Sequence, residues 1–246
     1  MRFFIELSYN GKAYHGWQNQ PDAISVQEVL EKALSTLLSN EITIVGAGRT
    51  DAGVHASQMY AHFDFDGTLP ENLVFKLNSF LPKDISIHHI FAVTDDAHAR
   101  FDALSRTYNY RISTRKNVFN HEYAYTLQKE LNMDLMNKAC EILLQYNDFQ
   151  CFSKVNTDVK TYHCKLMHAE WISKNDELVF NIKADRFLRN MVRAIVGTLI
   201  NIGLGKIELD ALHDIIKSKD RSQAGFSVPA QGLYLVGITY PKHINV

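Results

Sequence analysis

"GAGRTDAGVHA", residues 46–56, packs three glycines, one arginine, one aspartate and one histidine into eleven positions with almost nothing bulky. Two nucleotide-binding loops have a comparable glycine density. The dinucleotide fingerprint G-x-G-x-x-G fits Gly46 and Gly48, but Asp51 stands at the third glycine position, where its carboxylate would face the pyrophosphate. The P-loop pattern G-x-x-x-x-G-K-[ST] fits the spacing of Gly48 and Gly53, but Val54 replaces the lysine. Both readings fail. What remains is a loop after the apolar stretch 42–45 (ITIV), with Asp51 near its centre. Gly48 and Gly53 permit backbone conformations that other residues resist, so a bulky substrate can approach closely. An aspartate side chain is ionised at neutral pH and can serve as nucleophile or base. Arg49 adds an opposite charge two residues before it. An isolated Asp-x-Gly is equally an ordinary surface turn, so the rest of the chain must decide.

Working outward, residues 2–9 (RFFIELSY) read as a strand ended by the turn pair Asn10-Gly11. Ser25 to Glu28 forms a capping box, followed by Val26, Val29, Leu30, Ala33, Leu34, Leu37 and Leu38 at helical spacing. The stretch 42–45 reads as a strand; so do 58–65, with Met59, Ala61, Phe63 and Phe65 on one face, and 85–93. A helix fits 70–80, opened by Pro70. In the second half, strands are predicted at 105–113, 168–172, 178–184 and 233–240, and helices at 132–146, 187–202 and 209–218. Each half, 1–104 and 105–246, is thus a mixture of strands and helices that closes a sheet with helices on one face. No Pro/Gly/Ser linker separates them, which predicts a shared sheet or a tight interface.

The 246 residues suit roughly one to two domains, and 46% hydrophobic with 22% charged residues is the balance of a globular protein with a core. No apolar run approaches the ~18 residues of a spanning helix. Glu6 arrives too early for a signal peptide. Three cysteines (Cys140, Cys151, Cys164) without a C-x-x-C pair argue against a disulfide framework, and a cytoplasmic protein is expected. The net charge of −1 gives no global attraction to nucleic acid. Distribution matters more: residues 100–116, 154–165 and 183–193 hold 12 of the 26 basic residues against three acids, Asp102, Asp158 and Asp185. Converging, these segments would make a basic cleft; apart, they are solvated charge.

In "SRTYNYRI", residues 105–112, alternation places Arg106, Tyr108, Tyr110 and Ile112 on one strand face. Tyr110 and Ile112 suit a core. Tyr108 suits stacking on a base, with Arg106 near phosphate. "RFLRNMVRAIVGTL", residues 186–199, reads as an amphipathic helix: Leu188, Met191, Val192, Ile195 and Leu199 form a stripe beside Arg186, Arg189 and Arg193. That basic face is either solvated or has one arginine turned inward to a carboxylate. "GWQNQ", residues 16–20, suits turn packing and RNA contact equally. Cys151, His163, Cys164 and His168 match no zinc spacing, so no metal site is expected.

Together these stretches resemble the TruA family of tRNA pseudouridine synthases. The match runs through "SYNGKAYHGWQNQ", "SVQEVLEKAL", "GAGRTDAGVHA", "HARFDALSRTYNYRI", "FLRNMVRAIVGTLINIGLGK" and "AGFSVPAQGLYLVGITYP". The resemblance implies an α+β fold of two ferredoxin-like halves, joined through a largely antiparallel central sheet with helices on one face and an RNA-binding cleft on the other. It implies Asp51 as catalytic nucleophile and Arg193 as the arginine paired with that carboxylate. Tyr108 would pack on the target base, and Arg49 would help hold the flipped-out nucleotide. It further implies isomerisation of uridine at positions 38, 39 and 40 in the tRNA anticodon stem-loop, by a homodimer with neither metal nor organic cofactor. Two positions depart from the family pattern: Ser153-Lys154 follows Phe152 where an arginine is common, and Asn10 replaces an aspartate. The first leaves open which residues of 150–165 grip RNA. A non-catalytic RNA-binding protein on the same scaffold is the main rival. A glycosidase ranks lower, because no second carboxylate sits in the matched stretches.

Overall fold

A computed structural model describes residues 1–155 and 159–244. Among these residues the fold is α+β, with nine strands and five α-helices. Two compact units divide it: Met1–Leu104 with the chain from Leu235 onward, and Ser105–Tyr234.

In the first unit β1 (Arg2–Tyr9) lies between β4 (Ile85–Val93) and β3 (His55–Asp64), antiparallel to both. Its apolar residues Phe3, Phe4, Ile5 and Leu7 are buried. Short β2 (Val45–Gly46) and the last strand, β9 (Leu233–Thr239), flank β3. A division at 104/105 alone leaves β9 with the second half. It returns to the first because the Ile238 N–H donates to Gln58 (3.0 Å) and the Tyr240 hydroxyl to the Ala99 carbonyl (2.5 Å). Helix α1 (Val26–Leu38) starts where the capping box predicts, with the Glu28 N–H donating to Ser25 Oγ at 3.1 Å. Such a cap is worth about 1 kcal/mol. Helix α2 (Leu73–Phe80) packs on β4 and starts three residues after Pro70.

The stretch 42–45 is not the strand its composition predicts; only Val45 enters the ladder, as the start of β2. Ile42 and Ile44 are buried, but their N–H groups donate to side chains of α1, Ser35 Oγ and Glu31 Oε1, both at 2.9 Å. The backbone is satisfied there without a neighbouring strand.

In the second unit β8 (Glu177–Ala184) runs antiparallel between β5 (Ser105–Ser113) and β7 (Leu166–Lys174), and β6 (Tyr125–Thr126) pairs in parallel with β5. Register puts Tyr110 beside Phe180 and Phe180 beside Trp171, a buried aromatic row across the sheet. Helix α3 (Met133–Leu143) clamps the β7 edge, with the Asn137 side chain bonding both the N–H and the carbonyl of Trp171. Next come α4 (Met191–Gly203) and α5 (Ala211–Ser218).

The helix predicted at 187–202 begins only at Met191. Asn190 has φ 67°, a left-handed conformation that cannot continue a helix, so Arg186 and Arg189 lie on the preceding loop. Nor is α4 amphipathic: all but Arg193 and Asn201 of its residues are buried. Among the described residues no helix is long and apolar enough to cross a membrane.

Candidate active site

The loop bearing Asp51 is held from several sides within the first unit. The Val54 N–H donates to the Asp51 carbonyl at 3.2 Å, closing a turn in which Gly53 has φ +78°. Positive φ at the third position alone is the type II pattern, which calls for glycine there. Gly48 is different: its φ is not positive, and a Cβ there would meet nothing within 4 Å. Of the two glycines credited with loop freedom, only Gly53 needs it.

Residues 9–17 fix the position of the loop. The Tyr9 hydroxyl and Thr50 Oγ1 are 2.9 Å apart, the Trp17 N–H donates to the Thr50 carbonyl (3.3 Å), and the Gly53 N–H donates to the Tyr14 carbonyl (3.3 Å). His55, buried, accepts the Gly11 N–H on Nδ1 at 3.1 Å. Gly16, at φ +94°, faces the Thr50 carbonyl so closely that a Cβ would overlap it. Gly46 likewise leaves room for the Trp17 indole. Trp17 is therefore a packed residue, buried near Tyr9, and not a surface aromatic. Its neighbour amides are engaged too: Asn19 donates to Glu31 (2.8 Å) and Gln20 to the His15 carbonyl (2.8 Å). On this base Asp51 is half-buried and Arg49 exposed.

The second unit carries Tyr108 and Arg193. Tyr110 and Ile112 are buried as core residues, whereas Tyr108, on the same face of β5, is half-buried near the strand's start. Its ring meets Phe187 edge-on, centroids 5.2 Å apart at 89°. Arg106 donates to the Asp185 carbonyl at 2.8 Å. Arg193, half-buried on α4, donates from Nε to the Val228 carbonyl at 2.7 Å. Burial pushes the Tyr110 hydroxyl well above its ordinary value, and the nearby Arg193 charge pulls against that.

The basic segments meet within this unit. Pairing of β5 with β8 sets Thr107 opposite Lys183, and the Lys154 N–H donates to the Arg189 carbonyl at 3.0 Å. Lys154, Lys160, Lys165 and Arg189 are exposed, and Arg106, Lys183 and Arg186 half-buried. Asp158, the acid of the middle segment, lies outside the described residues, as do residues 156 and 157 of the stretch left open for RNA contact. Arg111 lies under the Tyr234 ring, 4.4 Å from its centroid. No group of three His, Cys, Asp or Glu side chains among the described residues is arranged to hold a metal, and Cys151 and Cys164 are buried and free.

Asp51 and Arg49 thus share one loop of the first unit, while Tyr108 on β5 and Arg193 on α4 belong to the second. Sequence reasoning left Gly16 and Trp17 open between turn packing and RNA contact; it missed His55 behind the loop and the cluster of Asn190 and Arg221 on Ser227 Oγ, one residue before Val228. Of these, Ser227 lies in the quoted stretch "AGFSVPAQGLYLVGITYP", ahead of its strand, where there is no periodicity to interpret.

A carboxylate on a glycine-supported turn in one unit, and an aromatic strand with clustered basic loops in the other, are features suited to enzymes that act on polynucleotides. Comparison narrows this class. The signature of the family described as tRNA pseudouridine synthase matches residues 7–102 and 139–241. A protein of Parabacteroides distasonis named tRNA pseudouridine synthase A is 52% identical over 246 residues, covering 99% of this chain and 97% of its own. Proteins of the same name from Bacteroides fragilis (52% identical; 99% and 98% covered) and Aliivibrio salmonicida (40%; 98% and 94%) are similar along the same length. The chain belongs to the tRNA pseudouridine synthase family, a family of isomerases.

Proposed function

We propose that this protein isomerises uridine to pseudouridine at positions 38, 39 and 40 of the tRNA anticodon stem-loop, with Asp51 as the nucleophile. The observation that carries the reading is the family match, which spans the Asp51 turn, together with the half-exposed carboxylate that the turn presents. The reaction breaks the bond between N1 and the ribose, rotates the base and rejoins it through C5, whose proton is lost as N1 gains one. Nothing is oxidised or phosphorylated. A carboxylate nucleophile serves whether it attacks the ring or the sugar.

The target base is stacked in a stem and must be flipped out at a cost of a few kcal/mol. Tyr108 offsets part of that cost by stacking on the flipped base, worth about 1–3 kcal/mol for an aromatic contact. Arg49 holds the extruded nucleotide, and the basic loops of the second unit engage the backbone. Arg193 is assigned as the arginine that serves the catalytic carboxylate. The protein acts as a cytoplasmic homodimer without metal or organic cofactor.

Purified Asp51→Ala is expected to bind anticodon stem-loop RNA but form no pseudouridine. Substantial product from that variant would overturn the nucleophile assignment. Wild-type protein that binds tRNA and yields no product would favour the non-catalytic RNA-binding reading.

A further inference from the structure

The segment 221–229 lies between α5 and β9 and bonds to α4 at two points. The Gly225 N–H donates to Thr198 Oγ1 (2.8 Å), and the Val228 N–H to the Arg193 carbonyl (3.3 Å). Gly197 and Gly225 allow backbone to approach backbone: a Cβ on Gly197 would overlap the Phe226 carbonyl, and one on Gly225 would crowd the Thr198 nitrogen. The segment is therefore fixed along two turns of the helix.

Ser227 is its polar centre. Its Oγ accepts from Asn190 Nδ2 at 2.7 Å and from an Arg221 amino group at 2.9 Å. The other amino group of Arg221 donates to the Gly225 carbonyl at 2.9 Å. Asn190 stands at the N-terminal boundary of α4 in a left-handed conformation, and its side chain makes no capping bond to the helix. An asparagine there ordinarily caps; this one reaches Ser227 instead. The next two carbonyls each hold a side chain: that of Val228 accepts Arg193 Nε at 2.7 Å, and that of Pro229 accepts the Tyr110 hydroxyl at 2.8 Å.

A guanidinium is planar, so an acceptor fixed at Nε sets the direction in which its two amino groups point. The direction of the Val228 carbonyl depends in turn on the residue before it. We infer that Ser227, held by Asn190 and Arg221, is a positioning centre that aims the Arg193 guanidinium for uridine isomerisation. None of the three need touch RNA. The inference rests on the role proposed above for Arg193.

The test compares Ser227→Ala, Asn190→Gly, Arg193→Lys and the double variant Ser227→Ala/Arg193→Lys with wild type, on one tRNA transcript. Single-turnover rate, tRNA affinity and melting temperature are measured for each. A displacement of about 1 Å at a reacting group costs up to ~100-fold, so Ser227→Ala and Asn190→Gly should slow the step by roughly tenfold or more. Their tRNA affinity should be unchanged. Ser227→Thr, which keeps the accepting oxygen, should restore most of the rate. The double variant should be no slower than Arg193→Lys, because both changes remove one interaction. If Ser227→Ala does not fold, Asn190→Gly carries the test, since glycine suits φ 67° and only the amide is lost. Lower melting temperatures with wild-type rates would make the cluster a staple and overturn the inference, as would multiplicative losses in the double variant. A wild-type rate for Arg193→Lys would instead overturn the role given to Arg193.

Discussion

Gly16→Ala should damage catalysis more than stability. The φ of +94° at Gly16 costs an alanine about 1–2 kcal/mol, because its Cβ meets the backbone in that region. A melting temperature lower by ~2–8 °C follows for a chain of this size. The second effect falls on the loop. The new Cβ would overlap the Thr50 carbonyl by roughly 1 Å, given ordinary contact distances. Thr50 is also held by Tyr9 and Trp17, so relief comes by moving the backbone that leads directly into Asp51. A shift of about 1 Å at a reacting group costs on the order of 100-fold in rate. The assay is single-turnover pseudouridine formation on a tRNA transcript, read beside melting temperature and tRNA affinity. Gly48→Ala is the stability control: its Cβ enters open space, and its melting temperature should not change. A Gly16→Ala protein that melts lower yet turns over at the wild-type rate would refute the claim that Gly16 sets the position of Asp51.

Tyr108→Phe should keep most activity and Tyr108→Ala should lose it, since the ring rather than the hydroxyl is assigned the stacking; equal losses in a rate assay would assign the work to the hydroxyl. His62 should give stability a pH dependence. Burial, aided by the Arg2 charge, holds its pKa down to about 4, while its Nδ1 accepts the Ala99 N–H. In the unfolded chain it protonates near 6.5, so stability is full above that value and falls as the pH drops toward 4, by about 2–3 kcal/mol. Denaturant titrations across that window should show the slope, and His62→Gln should flatten it. Burial pushes Cys140, Cys151 and Cys164 each up to about 12. The thiolate is the nucleophile, so iodoacetamide should label none of the three in the native protein and all three in denaturant; native labelling would contradict their burial.

Periodic elements were legible in the sequence. The strands Arg2–Tyr9, Ile85–Val93 and Ser105–Ser113 and helix Val26–Leu38 lie where alternation, helical spacing and the Ser25 cap put them. Failures occurred where a single tertiary contact outweighed local pattern. Ile42 and Ile44 look like strand residues, but α1 side chains take their N–H groups. Residues 187–190 continue a helical pattern, but Asn190 turns left-handed to reach Ser227. The catalytic candidates were legible as chemistry and as family motif: Asp51 breaks the dinucleotide fingerprint by its identity, as Val54 breaks the P-loop pattern. The glycines were less so: Gly48 looks like Gly53 in sequence, and only φ and surroundings separate them. The roles of Gly16 and Ser227 could not be recognised, because Thr50, which crowds Gly16, and Asn190, which bonds Ser227, lie tens of residues away along the chain.

The most direct test of the account is a pseudouridine map of tRNA from cells lacking this protein, complemented with wild type or Asp51→Ala. Loss confined to positions 38–40, restored by wild type and not by Asp51→Ala, is the expected result. Loss at other positions, or restoration by Asp51→Ala, would contradict the substrate site or the nucleophile respectively.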